Sequence, residues 1–223
     1  MGSLAARFAI IASGLAIASA TQAATINWST GPGFGGASGF QSILTSGALV
    51  AAVDFNNDGV NRTVDPGGIN ITFSAVSTGW FFYDSGSPGS TDAAWNEVVD
   101  HSAFSNINLL VPSFLQGLTL GRSYQLQLFA SDTRGCCSNR ISHFGDGAGS
   151  FSDPVAQGTF TSIVGQFVAD GSSQALELEA SSTNPILSAY VLRDVTPVPE
   201  PATWTLGLAG TAMMAGLTRR RRR

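Results

Sequence analysis

The sequence predicts an all-β protein, a single antiparallel β-sandwich with one short helix. Two observations carry this. Ile69 to Ala75 and Ser123 to Leu128 alternate apolar and polar residues, the period of a half-buried strand. The chain also holds 26 glycines and only 12% charged residues. Many short strands broken by Gly, Ser, Thr and Asn turns are how sandwiches are built.

The elements follow in order. Residues 25–47 read as Gly/Ser-rich loop with an edge strand near Ile26–Trp28. Leu49 to Phe55 is a short apolar strand, and Asn56 to Gly68 is rich in turn residues. The stretches 49–55 and 69–75 therefore read as a hairpin with a long loop. Thr91 to Asp100 reads as the one helix, capped by Thr91 or Asp92, with Trp95, Val98 and Val99 on one face. Ile107 to Val111 is a strand, Gly117 to Gly121 a turn, and Ser123 to Ala130 a strand. A loop at 131–140 precedes strands at 141–144, 158–169, 175–180 and 187–193. No internal repeat is visible.

Both ends are set apart. Arg7 precedes an apolar run from Phe8 to Ile17, then small residues around Ala20 and Ala23. That is the make-up of a secretory signal peptide over residues 1–23, whose core of about ten residues, roughly 15 Å, is too short to span a bilayer. At the other end, Val198-Pro199-Glu200-Pro201 is stiff and extended. Ala202 to Thr218 carries no charge, and Arg219, Arg220, Arg221, Arg222 and Arg223 close the chain. As a helix, 202–218 would be roughly 25 Å long, at the short edge of a membrane span. Arginines beside such a span stay on the cytoplasmic side, which puts the body outside.

This arrangement resembles the PEP-CTERM sorting signal of exopolysaccharide-producing Gram-negative bacteria. The resemblance implies processing by an exosortase after removal of the signal peptide by signal peptidase. It implies transient anchoring in the inner membrane through 202–218, and a body released or attached at the cell surface. The organisation expected is 1–23 signal peptide, 24–196 sandwich, and 197–223 sorting signal.

Composition limits the body further. The chain has no lysine, and only Arg62, Arg122, Arg134, Arg140 and Arg193 lie between the two ends. Fourteen of the fifteen acids fall there too, a net charge of about −9 for the body. A body so acidic repels nucleic acid and bare anionic lipid, so no nucleic acid is expected as a partner, and a basic substrate, a neutral glycan or a divalent cation suits it better.

A second resemblance rests on the run Gly117 to Asp132, then Arg140, Phe144-Gly145-Asp146-Gly147, Gly158-Thr159-Phe160, Ala169-Asp170-Gly171 and Leu176-Glu177-Leu178. These residues look like a jelly-roll of the galactose-binding or malectin-like type over 117–193. The resemblance implies a sugar held in loops at one end of the sandwich.

Three constellations stand out. Asp54, Asn56, Asp58, Val60 and Asp65, with Gly59 between, sit at positions 1, 3, 5, 7 and 12 of a calcium loop. The same residues suit an Asx- and Gly-rich turn that needs no metal, and both readings stand at this point. Asp132, Arg134 and Arg140 form a charged rim that could hold sugar hydroxyls, extracellular polysaccharide being the partner expected. Trp80-Phe81-Phe82-Tyr83-Asp84 offers aromatic rings for a sugar face, or core side chains for a strand. Cys136 and Cys137 are adjacent, which suits two thiols, a local disulfide or a bridge between chains. His101 and His143 have no nucleophile in a recognisable elbow, so the chain reads as a non-enzymatic surface or matrix protein. Carbohydrate-binding module and secreted polysaccharide hydrolase are the alternatives.

Overall fold

The computed structural model describes residues 23–77, 81–182 and 184–198. Seven strands make the larger sheet. They are β1 (Asn27–Gly33), β2 (Ala48–Asp54), β3 (Arg62–Val64), β4 (Ile71–Ala75), β8 (Ser123–Phe129), β11 (Thr161–Val168) and β14 (Ala189–Asp194), in the order β1-β11-β8-β14-β2-β4-β3. The facing sheet holds β7 (Leu109–Gln116), β9 (Ile141–Gly145), β10 (Val155–Ala156) and β12 (Ser173–Ala180), ordered β10-β9-β12-β7. A small sheet at one end orders β13 (Ile186–Leu187), β6 (His101–Phe104) and β5 (Phe81–Asp84). The result is the expected β-sandwich.

Its core follows from alternation. Tyr124, Leu126 and Leu128 of β8 point inward with Tyr190 and Leu192 of β14, against Leu115, Phe144, Leu176 and Leu178 of the facing sheet. The opposite face of the large sheet is covered as well. The one α-helix among the described residues, α1 (Ala93–Val99), and the segment around Phe34 to Ile43 bury Phe73, Phe129, Ala189 and Val191 there. Asp92 is the cap, accepting from the Trp95 N–H at 2.9 Å, and Trp95, Val98 and Val99 are buried as their spacing predicts. Gln127, on the polar face of β8, is therefore 1% exposed. Its amide holds the covering segment through Leu44 N–H (2.8 Å) and the Ser42 carbonyl (3.0 Å).

One expectation needs correction. β2 and β4 run parallel rather than as a hairpin, because β3 lies between them in the chain and pairs antiparallel with β4. Three residues, Arg62 to Val64, are too few to show a period in sequence. β6, directly after the helix, is likewise unanticipated.

The strand directions define two poles. β8 and β14 meet at Tyr124 and Asp194 at one end and at Phe129 and Ala189 at the other, five steps and about 17 Å apart. The chain leaves toward residue 198 at the first, the tail pole. The 131–140 loop, the end of β2 and the small sheet sit at the second, the loop pole.

Candidate functional site

The loop pole brings together two stretches that the sequence keeps apart. In β5, Phe81 and Tyr83 share one face, while Phe82 packs on the core from the other. Phe81 is paired with Phe104 of β6, their rings 5.2 Å apart, and Tyr83 lies 5.0 Å from the Phe104 ring. The Arg134 guanidinium lies over the Tyr83 ring, 3.7 Å from its centre. Asp132, fully buried, clamps the same guanidinium in fork geometry, with Nε donating to Oδ1 and Nη2 to Oδ2, both at 2.9 Å. Arg140 is near enough to act on Tyr83 electrostatically, and no ion pair to it is found among the described residues. Burial first, and then the Asp132 carboxylate, pushes the Tyr83 hydroxyl well above the usual phenol range. The hydrogen bond that the Arg134 guanidinium donates to Asp132 holds its pKa above its ordinary value.

The loop is held from beneath. Asp132 N–H donates to the Gln157 carbonyl at 2.6 Å and Thr133 N–H to that of Ser85 at 2.9 Å. Under it, the Ser102 hydroxyl bonds those of Ser188 (2.6 Å) and Ser85 (3.2 Å) and the Ser131 carbonyl (3.3 Å). Gly158 runs so close to the loop that a Cβ there would stand 2.6 Å from Ser138 Cβ and 2.8 Å from its carbonyl oxygen. Cys136 and Cys137 form a disulfide with each other, which leaves neither as a free thiol nor available to another chain. Arg134 Nη2 lies 3.9 Å from Cys137 Sγ.

The Asp54 loop is built differently. Its oxygens close on an arginine. Arg62 Nη1 donates to Asp54 Oδ2 (3.2 Å), Asp58 Oδ1 (3.2 Å) and the Val60 carbonyl (2.9 Å). Its Nη2 bonds the second Asp58 oxygen and reaches Glu97 at 3.5 Å. Positions 1, 5 and 7 of the expected calcium loop thus face a guanidinium. Asn56 at position 3 turns its amide to the Glu97 carbonyl (3.1 Å), and Asp65 at position 12 is exposed beyond β3. Asn57 (φ 59°) and Gly59 (φ 72°) supply the left-handed turns. Asp54 is fully buried, and burial outweighs the Asn56 N–H and Arg62, so its pKa is pushed up to about 7. No cluster of three or more His, Cys, Asp or Glu suited to a metal occurs among the described residues.

The remaining sequence candidates separate. His101 Nδ1 is 2.5 Å from Asp100 Oδ1. Asp146, near His143 in sequence, is buried and instead accepts from the N–H groups of Ile26, Ala148 and Ser150. An open depression of about 380 Å³ at the tail pole, between Thr25, Tyr124 and Val195, is lined by no carboxylate, histidine or cysteine side chain. Trp80 lies outside the described residues, as do Pro199, Glu200, Pro201, the apolar run 202–218 and Arg219 to Arg223. Val198 is the last residue described and is exposed. Phe104 and Arg62 complete the two arginine sites without having been singled out in sequence.

The comparison with known families decides what the tail is. Residues 197–223 match the PEP-CTERM protein-sorting motif. This match implies an exported chain, anchored transiently in a membrane through its C-terminal signal and recognised by an exosortase. No curated protein matches the sequence. Among solved structures the chain is similar to a Bacteroides uniformis beta-glucuronidase, at 12% identity and a TM-score of 0.43, over 65% of this chain and 18% of that one. It is similar also to Bacteroides uniformis beta-glucuronidase 2 covalently bound to cyclophellitol-6-carboxylate aziridine, at 13% identity and a TM-score of 0.42, over 65% and 17%. The chain spans less than a fifth of the length of either, and likeness at this level carries nothing about activity.

Proposed function

We propose that this exported, exosortase-processed chain is a non-enzymatic surface or matrix protein that holds a polysaccharide at its loop pole. The observation that supports this is the meeting of Phe81, Tyr83 and Phe104 with the Asp132–Arg134 pair. Phe81 is 58% exposed, and its ring next to Phe104 offers an apolar face for a sugar ring. Arg134, held by Asp132, supplies a fixed donor for hydroxyls beside it, and Arg140 adds a second cation nearby. The site is shallow and rigid, which suits holding a chain rather than cutting it. Neither histidine bonds a serine or cysteine side chain among the described residues, and the one paired histidine faces Asp100. The acidic body favours neutral sugars over polyanions.

Affinity electrophoresis and a glycan array on the mature protein test this. Binding at submillimolar sugar is expected, together with its loss in Phe81→Ala, whose exposed side chain leaves the fold intact. No binding to any neutral or acidic polysaccharide would overturn the reading. Cleavage of one of them would replace it with the hydrolase alternative.

A further inference from the structure

The tail pole carries a ring of aliphatic side chains that the fold does not use. Leu49 and Val50 begin β2, Leu120 tips the 117–122 turn, Val168 ends β11 and Val198 follows β14; they are 43%, 37%, 71%, 56% and 82% exposed. The strand registers place them round one exit. Leu49 is opposite Arg193, Val168 is opposite Ser123, and Gly121 N–H donates to the Ala169 carbonyl at 2.8 Å. The chain is held up to the last step before it leaves. Val195 N–H donates to the Ser123 carbonyl (2.9 Å), and Thr196 Oγ1 accepts from Ser123 N–H (2.8 Å). Of the nearby charges, Arg122 Nε pairs with Asp194 at 2.5 Å and Arg193 is 4% exposed, while Asp170, two residues past Val168, is an exposed carboxylate at the edge of the ring.

The uncharged run of the sorting signal begins at Ala202, six residues past the anchored Thr196. Fully extended, six residues span at most roughly 20 Å. A body tied this closely to a bilayer presents the tail pole to it, while the loop pole stands roughly 20 Å further away, the length of β8. From this we infer that the Leu49, Val50, Leu120, Val168 and Val198 ring rests on the outer face of the lipid bilayer while the tail is in place, and faces solvent once the tail is cut. The occupant is lipid because the ring's own side chains are aliphatic and uncharged, as an interfacial contact requires. The seat also keeps the body upright, with the loop pole pointing away from the membrane. It rests on the sorting-motif reading of residues 197–223, not on the glycan proposal.

The test uses the full chain without its leader, reconstituted in phosphatidylethanolamine–phosphatidylglycerol vesicles. A benzophenone side chain is placed at Leu120, Val168 or, as a control at the other end, the 63% exposed Ile107. Expected on illumination is at least about tenfold more lipid adduct at 120 and 168 than at 107, as for apolar groups within the interface. The excess should vanish on the body after tail removal. Equal adducts at all three positions in a chain that floats with the vesicles would overturn the seat alone. A chain that does not float would remove the anchoring and the seat together. In native membranes, adducts to a protein in place of lipid would assign the ring to that partner and overturn the lipid contact.

Discussion

Two arginines at the loop pole are clamped by carboxylates, and they end in opposite states. The Arg62 side chain is 10% exposed, and its two terminal nitrogens bond Asp54, Asp58, Glu97 and the Val60 carbonyl. The Arg134 side chain is 40% exposed, held on one edge by Asp132, with its face on Tyr83. Both use the same ion-pair chemistry. The difference lies in what surrounds the pair. Around Arg62, a seven-residue turn wraps its oxygens inward and closes a charge-neutralising plug. Around Arg134, a strand edge, the exposed Phe81 ring and the half-buried Tyr83 ring leave the cation part of a surface. The first arrangement serves folding, and the second is open to a ligand.

Breaking the Arg62 plug has the largest expected effect. Arg62→Ala leaves Asp54 buried with Asp58 and Glu97 nearby, and the loss at pH 8 should be about 3–5 kcal/mol in urea unfolding. The pH dependence of Asp54 sharpens the comparison. Its folded pKa, about 7, lies above its ordinary 3.8, so the folded state binds the proton more tightly. Its contribution is thus full below about pH 4 and is lost as pH rises through about 7, on the order of 4 kcal/mol in all. Asp54→Asn should flatten the stability profile between pH 5 and 8 relative to the parent, and identical profiles would contradict this origin. Asp132→Asn should cost less, about 2 kcal/mol, because Arg134 retains solvent. It should also weaken glycan retention, because the arginine fork loses its guide; both are read from unfolding and affinity electrophoresis on one preparation. Reducing the Cys136–Cys137 bond should shift unfolding by less than about 1 kcal/mol, since a ring between neighbours restrains the unfolded chain little. Smallest of all, calcium against chelator should leave the melting midpoint unmoved, because Arg62 already occupies the loop oxygens that would face the metal; a rise with calcium would return the metal reading.

The two regions also differ in how far they were legible beforehand. Helix α1 was readable because Asp92, Trp95, Val98 and Val99 state its cap and face within one short stretch. β8 was readable for the same local reason, though its polar Gln127 was destined for a covered face. The Asp54 loop was readable as an oxygen-rich turn, but whether Arg62 points in or out depends on β3 pairing with β4, a tertiary matter. The aromatic–arginine site was present only as fragments. Tyr83 and Arg134 are 51 residues apart, and nothing local says that β5 pairs with a strand hidden behind the helix. The sorting signal was fully legible, since its recognition depends on order along the chain rather than on folding.

β14 lies between β8 and β2, in the interior of the seven-stranded sheet, yet it is the last strand made. Until residues 189–194 have crossed the membrane, β8 and β2 each present a bare edge with no partner on that side. Closure of the sheet therefore waits on the final stretch of body to be exported. Residue 197, where the sorting motif begins, comes three residues after that strand ends. Completion of the fold and arrival of the stop signal thus fall at nearly the same moment of translocation. A chain stalled earlier would carry open strand edges, which ties closure of the sheet to export of the segment just ahead of the sorting motif.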